Sequence, residues 1–126
     1  MSGAQAADAP VHSELLLQTT QSWDGVRYPP YPAGQPEVSI VRWRIDPHRT
    51  LDWHAHPSIN VAYVLSGQLT VTRENGQSMT VGPGMALAET VNTLHKGQSG
   101  DEPVDLIVFY AGVPGTPLTV KAPASQ

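Results

Sequence analysis

The sequence predicts an all-β domain of seven to nine short strands, and three observations support that prediction. Prolines and glycines are frequent, with 12 and 11 in 126 residues, which interrupts helices and suits short strands joined by turns. From residue 37 onward, apolar and polar residues alternate in several segments with a period of two. Turn-forming residues separate these segments, and no segment has a convincing helical pattern. The architectures expected are a β-sandwich, a jelly roll or a small barrel.

Length and composition narrow the classes of function. The 126 residues suffice for one domain with one core. The formal net charge is −4 and no basic stripe is present, so we expect no nucleic acid and no membrane surface as partner. The absence of cysteine excludes disulfides, thiolate nucleophiles and zinc–thiolate sites. A small-molecule ligand is the expected partner.

The chain ends differ in composition from the centre. We expect residues 1–12 to be a disordered extension, residues 13–121 to form the barrel and residues 122–126 to be a loose tail. Residues 1–10 lack the basic start and apolar middle of a signal peptide, although the opening Ala-Gln-Ala-Ala-Asp resembles the end of a cleaved one. The compartment therefore stays open between the cytoplasm and the periplasm.

The alternating segments predict the individual strands. Residues 13–20 carry three leucines and are typical of a strand or of one helical turn. The proline-rich residues 23–36 predict an extended loop over the surface. Asn75-Gly76 predicts a type I′ hairpin turn, in which both central residues have positive φ. Strands are expected at residues 37–45, 51–56, 60–65, 68–74, 78–81, 85–89, 104–111 and 116–121.

Two histidines have the spacing of metal ligands. His54 and His56 are two residues apart on a predicted strand, which places both imidazoles on one face. Two such rings can share an ion at about 2.0–2.1 Å from each nitrogen. Asn60 falls on the same face if the strand direction persists. The alternative is that the histidines fill a polar barrel interior without a metal.

Further residues lie at regular distances in sequence from these two histidines. The chain first reads His54-x-His56, three residues, Asn60, six residues, Gly67, and later Gly84, five residues, Thr90-Val91-Asn92, two residues, His95. This order resembles the two motifs of the cupin family, over residues 48–99. The resemblance implies a single-domain cupin-type β-barrel, jelly-roll-like, with two antiparallel sheets. It also implies that His54, His56 and His95 bind one divalent transition metal, which is Fe, Mn, Ni, Zn or Cu.

Several motif positions depart from the family pattern. Asn60 stands where the family has a glutamate ligand, and its neutral amide is a poorer ligand, so we expect a weak fourth ligand or a water anchor. His48, Thr90, Asn92 and Ser99 stand where the family has Gly, Pro, Gly and Asn. Three histidines without a carboxylate leave open positions on the metal, as a catalytic ion requires.

Glu89 is the candidate catalytic residue. It ends the predicted strand 85–89 on the same parity as Leu87. One interpretation places its carboxylate inside the barrel as a general base or as a partner of a ligating histidine. The other places it on the surface at the edge of a loop.

Three functions remain compatible with the sequence. The first is a metal-dependent enzyme, an oxygenase or an isomerase, that acts on a small organic molecule. The second is a non-catalytic module that binds a metabolite or a metal, and the third is a structural barrel with an empty pocket. The resemblance also implies a homodimer, which exposed strand edges and the apolar residues 15–17 favour.

Overall fold

Residues 10–123 are described by the computed structural model, and they form two antiparallel sheets. One sheet has the strand order β1-β8-β3-β6 and the other the order β5-β4-β7-β2-β9. None of these residues forms a helix that is long and apolar enough to cross a membrane. The strands are β1 (Glu37–Ile45), β2 (His54–Ala55), β3 (Ile59–Ser66), β4 (Leu69–Arg73), β5 (Ser78–Val81), β6 (Ala86–Ala88), β7 (His95–Ser99), β8 (Val104–Gly112) and β9 (Val120–Lys121). The prediction of an all-β fold with two antiparallel sheets is confirmed.

The core lies between the two sheets, because each long strand turns every second side chain inward. On β3 the buried residues are Asn60, Ala62 and Val64, and those between them are partly exposed. Burial of the apolar members is the main favourable term in folding. The apolar core consists of Ile45, Ala62, Val64, Leu69, Val71, Val81, Leu87, Val104, Leu106, Val108 and Tyr110.

Three strand predictions differ clearly from the structure, and one of them, the strand expected at 116–121, is reduced to Val120–Lys121. Residues 95–99 were not predicted as a strand, yet they form β7 between β4 and β2. Their sequence, His-Lys-Gly-Gln-Ser, contains no aliphatic side chain and therefore gives no alternating apolar signal. The predicted strand 51–56 is reduced to His54–Ala55. The backbone N–H of Leu51 donates to the carbonyl of Gly97, which keeps the preceding segment beside β7.

The turn after β4 is not of type I′, so that prediction was wrong. Gly76 has a φ of +91°, but Asn75 is not among the residues with positive φ. The N–H of Gly76 donates to the carbonyl of Arg73, and the N–H of Arg73 donates to that of Gln77. These bonds define a three-residue loop that ends on a left-handed glycine. Asn75 instead accepts a hydrogen bond from the N–H of Gln77 through its side-chain oxygen.

The segments before β1 lie against the barrel without forming strands of their own. Residues 13–19 are neither a strand nor a helical turn, which corrects that prediction. Leu15 to Leu17 instead line a groove with side chains of β3, β6 and β8. In the proline-rich loop, the N–H of Trp23 donates to the carbonyl of Ala88, and Trp23 packs against the core. Of the expected extension and tail, residues 1–9 and 124–126 lie outside the described residues, so the domain boundaries stay predictions.

The turn between β3 and β4 yields a test of the fold. Gly67 has a φ of +77°, and a Cβ there would collide with the carbonyl of Pro103. Gly84 also has a positive φ, +80°, but a Cβ there would meet nothing within 4 Å. We expect each alanine variant to lose about 1–2 kcal/mol of unfolding free energy for the left-handed backbone. Gly67→Ala should lose a further 1–3 kcal/mol, roughly, for the steric overlap. Urea unfolding measures the free energy of unfolding of both variants. Equal losses in Gly67→Ala and Gly84→Ala would contradict this packing.

Candidate metal centre

Three histidines converge between the sheets. His54 on β2 lies directly opposite His95, the first residue of β7. His56 follows two residues after His54, which returns its side chain to the same face. The ring centroids are 4.4–5.0 Å apart, and one nitrogen from each ring lies within 4.8 Å of the other two. The structure therefore brings together the three histidines that the motif spacing selected.

The second nitrogen of each ring is fixed by the backbone. Because a carbonyl oxygen only accepts hydrogen bonds, each Nδ1 carries a proton, and in the neutral ring the lone pair is left on Nε2. Histidines that bind metals are commonly oriented in this way. The Nδ1–carbonyl distances are 2.8 Å from His54 to Asp52, 2.9 Å from His56 to Leu118 and 2.9 Å from His95 to Thr93.

Asn60 and Glu89 face the histidines from the other sheet. Asn60 lies on β3 and is fully buried, and Glu89 follows β6 and is 8% exposed. The N–H of Glu89 donates to the carbonyl of Asn60 at 3.1 Å, so the two residues continue the β3–β6 pairing. The interpretation of Glu89 as a surface charge is therefore wrong. Its side chain lines the same cavity as the three histidines.

Buried polar atoms around the cavity have unused hydrogen-bonding capacity. Asn60 Oδ1, Glu89 Oε1 and His95 Nε2 find no hydrogen-bond partner within residues 10–123, although Asn60 Nδ2 donates to the Ser58 carbonyl. Nε2 of His95 lies 3.4 Å from Oε2 of Glu89 without the orientation of a hydrogen bond. Each unsatisfied buried polar group costs about 1–3 kcal/mol. A ligand that satisfies several of them at once would offset that cost.

The electrostatics of the site favour an ionised carboxylate. Burial lowers the pKa of His54 and of His56, because a charged imidazole is poorly solvated there. Burial opposes the charge of His95 as well, but the adjacent Glu89 carboxylate outweighs it and raises the pKa of His95. Burial alone would raise the pKa of Glu89, and the three imidazoles, His95 first, outweigh it and lower that pKa. The ionised form of Glu89 is the one that binds a cation.

The cavity in front of the histidines has a volume of about 280 Å³. That value lies just below the usual range of about 300–1,000 Å³ for small-molecule sites. Its polar groups are the histidines, Asn60 and Glu89, with Asp52, Thr119 and Lys121 also in the lining, and the remaining wall is mainly apolar. The apolar side chains of that wall are Trp43, Ile45, Leu51, Leu69, Val71, Leu106 and Val108. The arrangement suits a small organic molecule that presents one polar end to the histidines.

At two positions where the family has glycine, this chain keeps the left-handed backbone conformation that glycine favours. His48 has a φ of +58° and Asn92 a φ of +56°. Histidine and asparagine are enriched in this left-handed region, so each replaces glycine at a tolerable cost. The N–H of Asn92 donates to the carbonyl of His56 at 2.8 Å. This bond joins the loop of the second motif to a histidine of the first.

Two further departures from the motifs, Thr90 and Ser99, make hydrogen bonds that could not be predicted from the sequence. The hydroxyl of Thr90, where the family has proline, lies 3.0 Å from Nδ1 of His95. The hydroxyl of Ser99 donates to the carbonyl of Asp46 at 2.6 Å and accepts the N–H of Arg49 at 2.9 Å. Tyr110 was also missed as a residue of the site, although it lies within the strand predicted at residues 104–111. Its ring lies 5.7 Å from that of His56.

Comparison with known proteins agrees with this geometry. Residues 41–110 match the family model described as the cupin domain. No curated protein sequence matches the chain. Solved structures with a similar fold include the DMSP lyase DddQ from Ruegeria pomeroyi DSS-3, at 19% identity and a TM-score of 0.62 over 71% of this chain and 45% of the lyase.

Two further structures extend the comparison. The polyketide cyclase RemF from Streptomyces resistomycificus is 20% identical, with a TM-score of 0.59 over 71% of this chain and 63% of the cyclase. An oxalate oxidase in complex with the substrate analogue glycolate is 21% identical, with a TM-score of 0.57 over 68% of this chain and 46% of the oxidase. The chain thus spans less than two thirds of these proteins, and the likeness establishes the fold alone. Because the cupin-domain model matches more than half of its residues, the chain belongs to the cupin family.

Proposed function

We propose that the protein is a metal-dependent cupin enzyme, an oxygenase or an isomerase, that acts on a small organic molecule inside the barrel. The observation that carries this proposal is the triad of His54, His56 and His95. The backbone holds each Nδ1, so the Nε2 atoms are left as donors beside an apolar cavity. A divalent transition metal bound there would supply Lewis-acid or redox chemistry.

The remaining residues of the cavity define what the protein itself contributes. The apolar wall, including Leu51 and Leu106, excludes water from the reacting end of the ligand. The hydroxyl of Thr90 and the carbonyl of Thr93 hold the ring of His95 in one orientation. These features fit a small substrate that is oriented by a bound ion at one end and by apolar contacts at the other.

The structural neighbours support an enzyme without selecting a reaction. Their names describe a lyase, a cyclase and an oxidase on similar barrels. One fold can host many chemistries, so the reaction class must come from the site. The alternative function is a cupin module that binds a metal or a metabolite without turnover.

The metal-binding part of the proposal predicts a loss of affinity in histidine variants. His56→Ala removes one of the three imidazole donors, and the two histidines left cannot compensate for it. We expect Zn²⁺ affinity, measured by competition with a coloured chelator, to fall at least about 100-fold. His48→Ala is the matched control, because His48 lies in an exposed turn, and it should bind as the wild type does.

Two results would count against the proposal. Equal affinity in His56→Ala and the wild type would show that these histidines are not ligands. Elemental analysis before and after chelation identifies the metal, and screening for oxygen uptake or isomerisation then tests turnover. Tight binding without any turnover of small organic acids, thiols or diketones would favour the non-catalytic module.

We also propose that the protein is a homodimer. The outer face of the first sheet exposes Val38, Ile40 and Phe109, at 64%, 70% and 42%. Ile40 is directly opposite Phe109, and Phe109 is directly opposite Val61, so an apolar row crosses three strands. The end of the row at Phe109 and Val61 borders the groove that Leu15 to Leu17 line. Exposed apolar patches of this kind mark interaction sites. A second copy of the chain, packed sheet to sheet about a twofold axis, would cover this row on both partners at once.

The dimer is testable by mass in solution. We expect light scattering at micromolar concentration to give about twice the chain mass of 13.5 kDa. Ile40→Glu places a charge in the row and should produce the monomer. Met79→Glu is the control, because Met79 is an exposed apolar residue on the other sheet, at 42% exposure, and it should leave the dimer intact. A wild type of monomeric mass would contradict the proposal.

A further inference from the structure

Glu89 lies directly opposite Asn60, and this position bears on which residue supplies a carboxylate ligand to the metal site. The cupin motif has a glutamate where this chain has Asn60. In the β3–β6 pairing, Val61 is opposite Ala88 and Ala62 is opposite Leu87, and the same register places Asn60 opposite Glu89. Directly opposed residues have Cβ atoms only about 4.5–5.5 Å apart. The side chains of residues 89 and 60 therefore leave the backbone at neighbouring points on the same face of the sheet.

The side chain of Glu89 also points in the required direction. Asn60 and Glu89 are both buried and both line the cavity of the histidine triad. Oε1 of Glu89 has no hydrogen-bond partner in the described part of the chain, and neither has Nε2 of His95. Within the described residues Glu89 makes one ion pair, from Oε2 to Nε2 of His95 at 3.4 Å, and this pair leaves Oε1 without a partner.

The distance between the two groups is also that expected for two ligands of one shared ion. Oε2 of Glu89 lies 3.4 Å from Nε2 of His95, without hydrogen-bond geometry. Two donors at about 2.0–2.1 Å from one tetrahedral ion are roughly 3.4 Å apart. Glu89 lies beside His95 and outside the set of three nitrogens within 4.8 Å of one another. It would reach a common ion by rotation of its own side chain.

We propose that Glu89 is the carboxylate ligand of the metal site and replaces, from the facing strand, the glutamate that the cupin motif places at position 60. This inference rests on the proposed metal site and assigns its fourth ligand. It also gives Asn60 a different role: a second carboxylate directly opposite Glu89 would repel the first, and a neutral amide avoids that repulsion. Glu89 then binds the ion and does not serve as a free general base.

The decisive experiment moves the carboxylate from position 89 to position 60 and measures metal affinity. Glu89→Gln keeps the size of the side chain and removes its charge, and we expect it to bind Zn²⁺ about 10–100-fold more weakly than the wild type. The exchange variant, Asn60→Glu with Glu89→Asn, returns the carboxylate to the position of the family motif. We expect its Zn²⁺ affinity to lie within a few-fold of the wild type. Glu102→Gln, on an exposed turn, is the charge-matched control and should change nothing.

The outcomes separate this inference from the proposed function. If Glu89→Gln binds Zn²⁺ as the wild type does while His56→Ala binds weakly, the histidine site stands and the assignment of Glu89 is overturned. An exchange variant that folds but binds as weakly as Glu89→Gln also overturns it. If Glu89→Gln and His56→Ala both bind normally, the metal site itself is refuted. Circular dichroism verifies the fold of each variant, and Glu89→Gln alone decides if the exchange variant is unfolded.

Discussion

The pairing of β2 with β7 is the constraint on which the site depends. It places His54 directly opposite His95 and so joins two motifs that are far apart in sequence. β2 itself has only two residues, and hydrogen bonds outside it hold the pairing in place. The N–H of Leu51 bonds to Gly97, and the N–H of Ser99 bonds to the carbonyl of Arg49. The geometry of the histidines therefore comes from the sheet as a whole.

The same end of the barrel buries polar groups whose desolvation opposes folding. Most of the core is aliphatic, but here two buried imidazoles, the partly buried ring of His54, an amide and a carboxylate lie between the sheets. Buried polar atoms such as Asn60 Oδ1 lack partners among the residues described, and an unsatisfied atom of this kind is unfavourable. Natural cores rarely retain such groups without a function. A bound cation would turn the carboxylate and the imidazoles from a cost into a set of ligands.

Much of this arrangement could be predicted from the sequence. The alternation along β1 and the density of turn residues indicated the sheets, and the resemblance of the motif spacing to that of cupins implied the convergence of His54, His56 and His95. β7 could not be predicted, because its polar sequence has no alternating apolar pattern and its place depends on β4 and β2. The role of Thr90 depends on a hydroxyl that approaches a ring across a loop. The opposition of Asn60 and Glu89 requires the register of two strands, which sequence spacing alone does not fix.

The central claim is that one ion is shared by three histidines of the second sheet and a carboxylate of the first. The most direct measurement is a crystal structure of the zinc-loaded protein, with the ion located by anomalous scattering at the zinc absorption edge. The account predicts one strong peak between the sheets, at about 2.0–2.2 Å from Nε2 of His54, His56 and His95 and from an oxygen of Glu89. A peak bound through other residues, or no peak in this cavity at saturating zinc, would contradict the account.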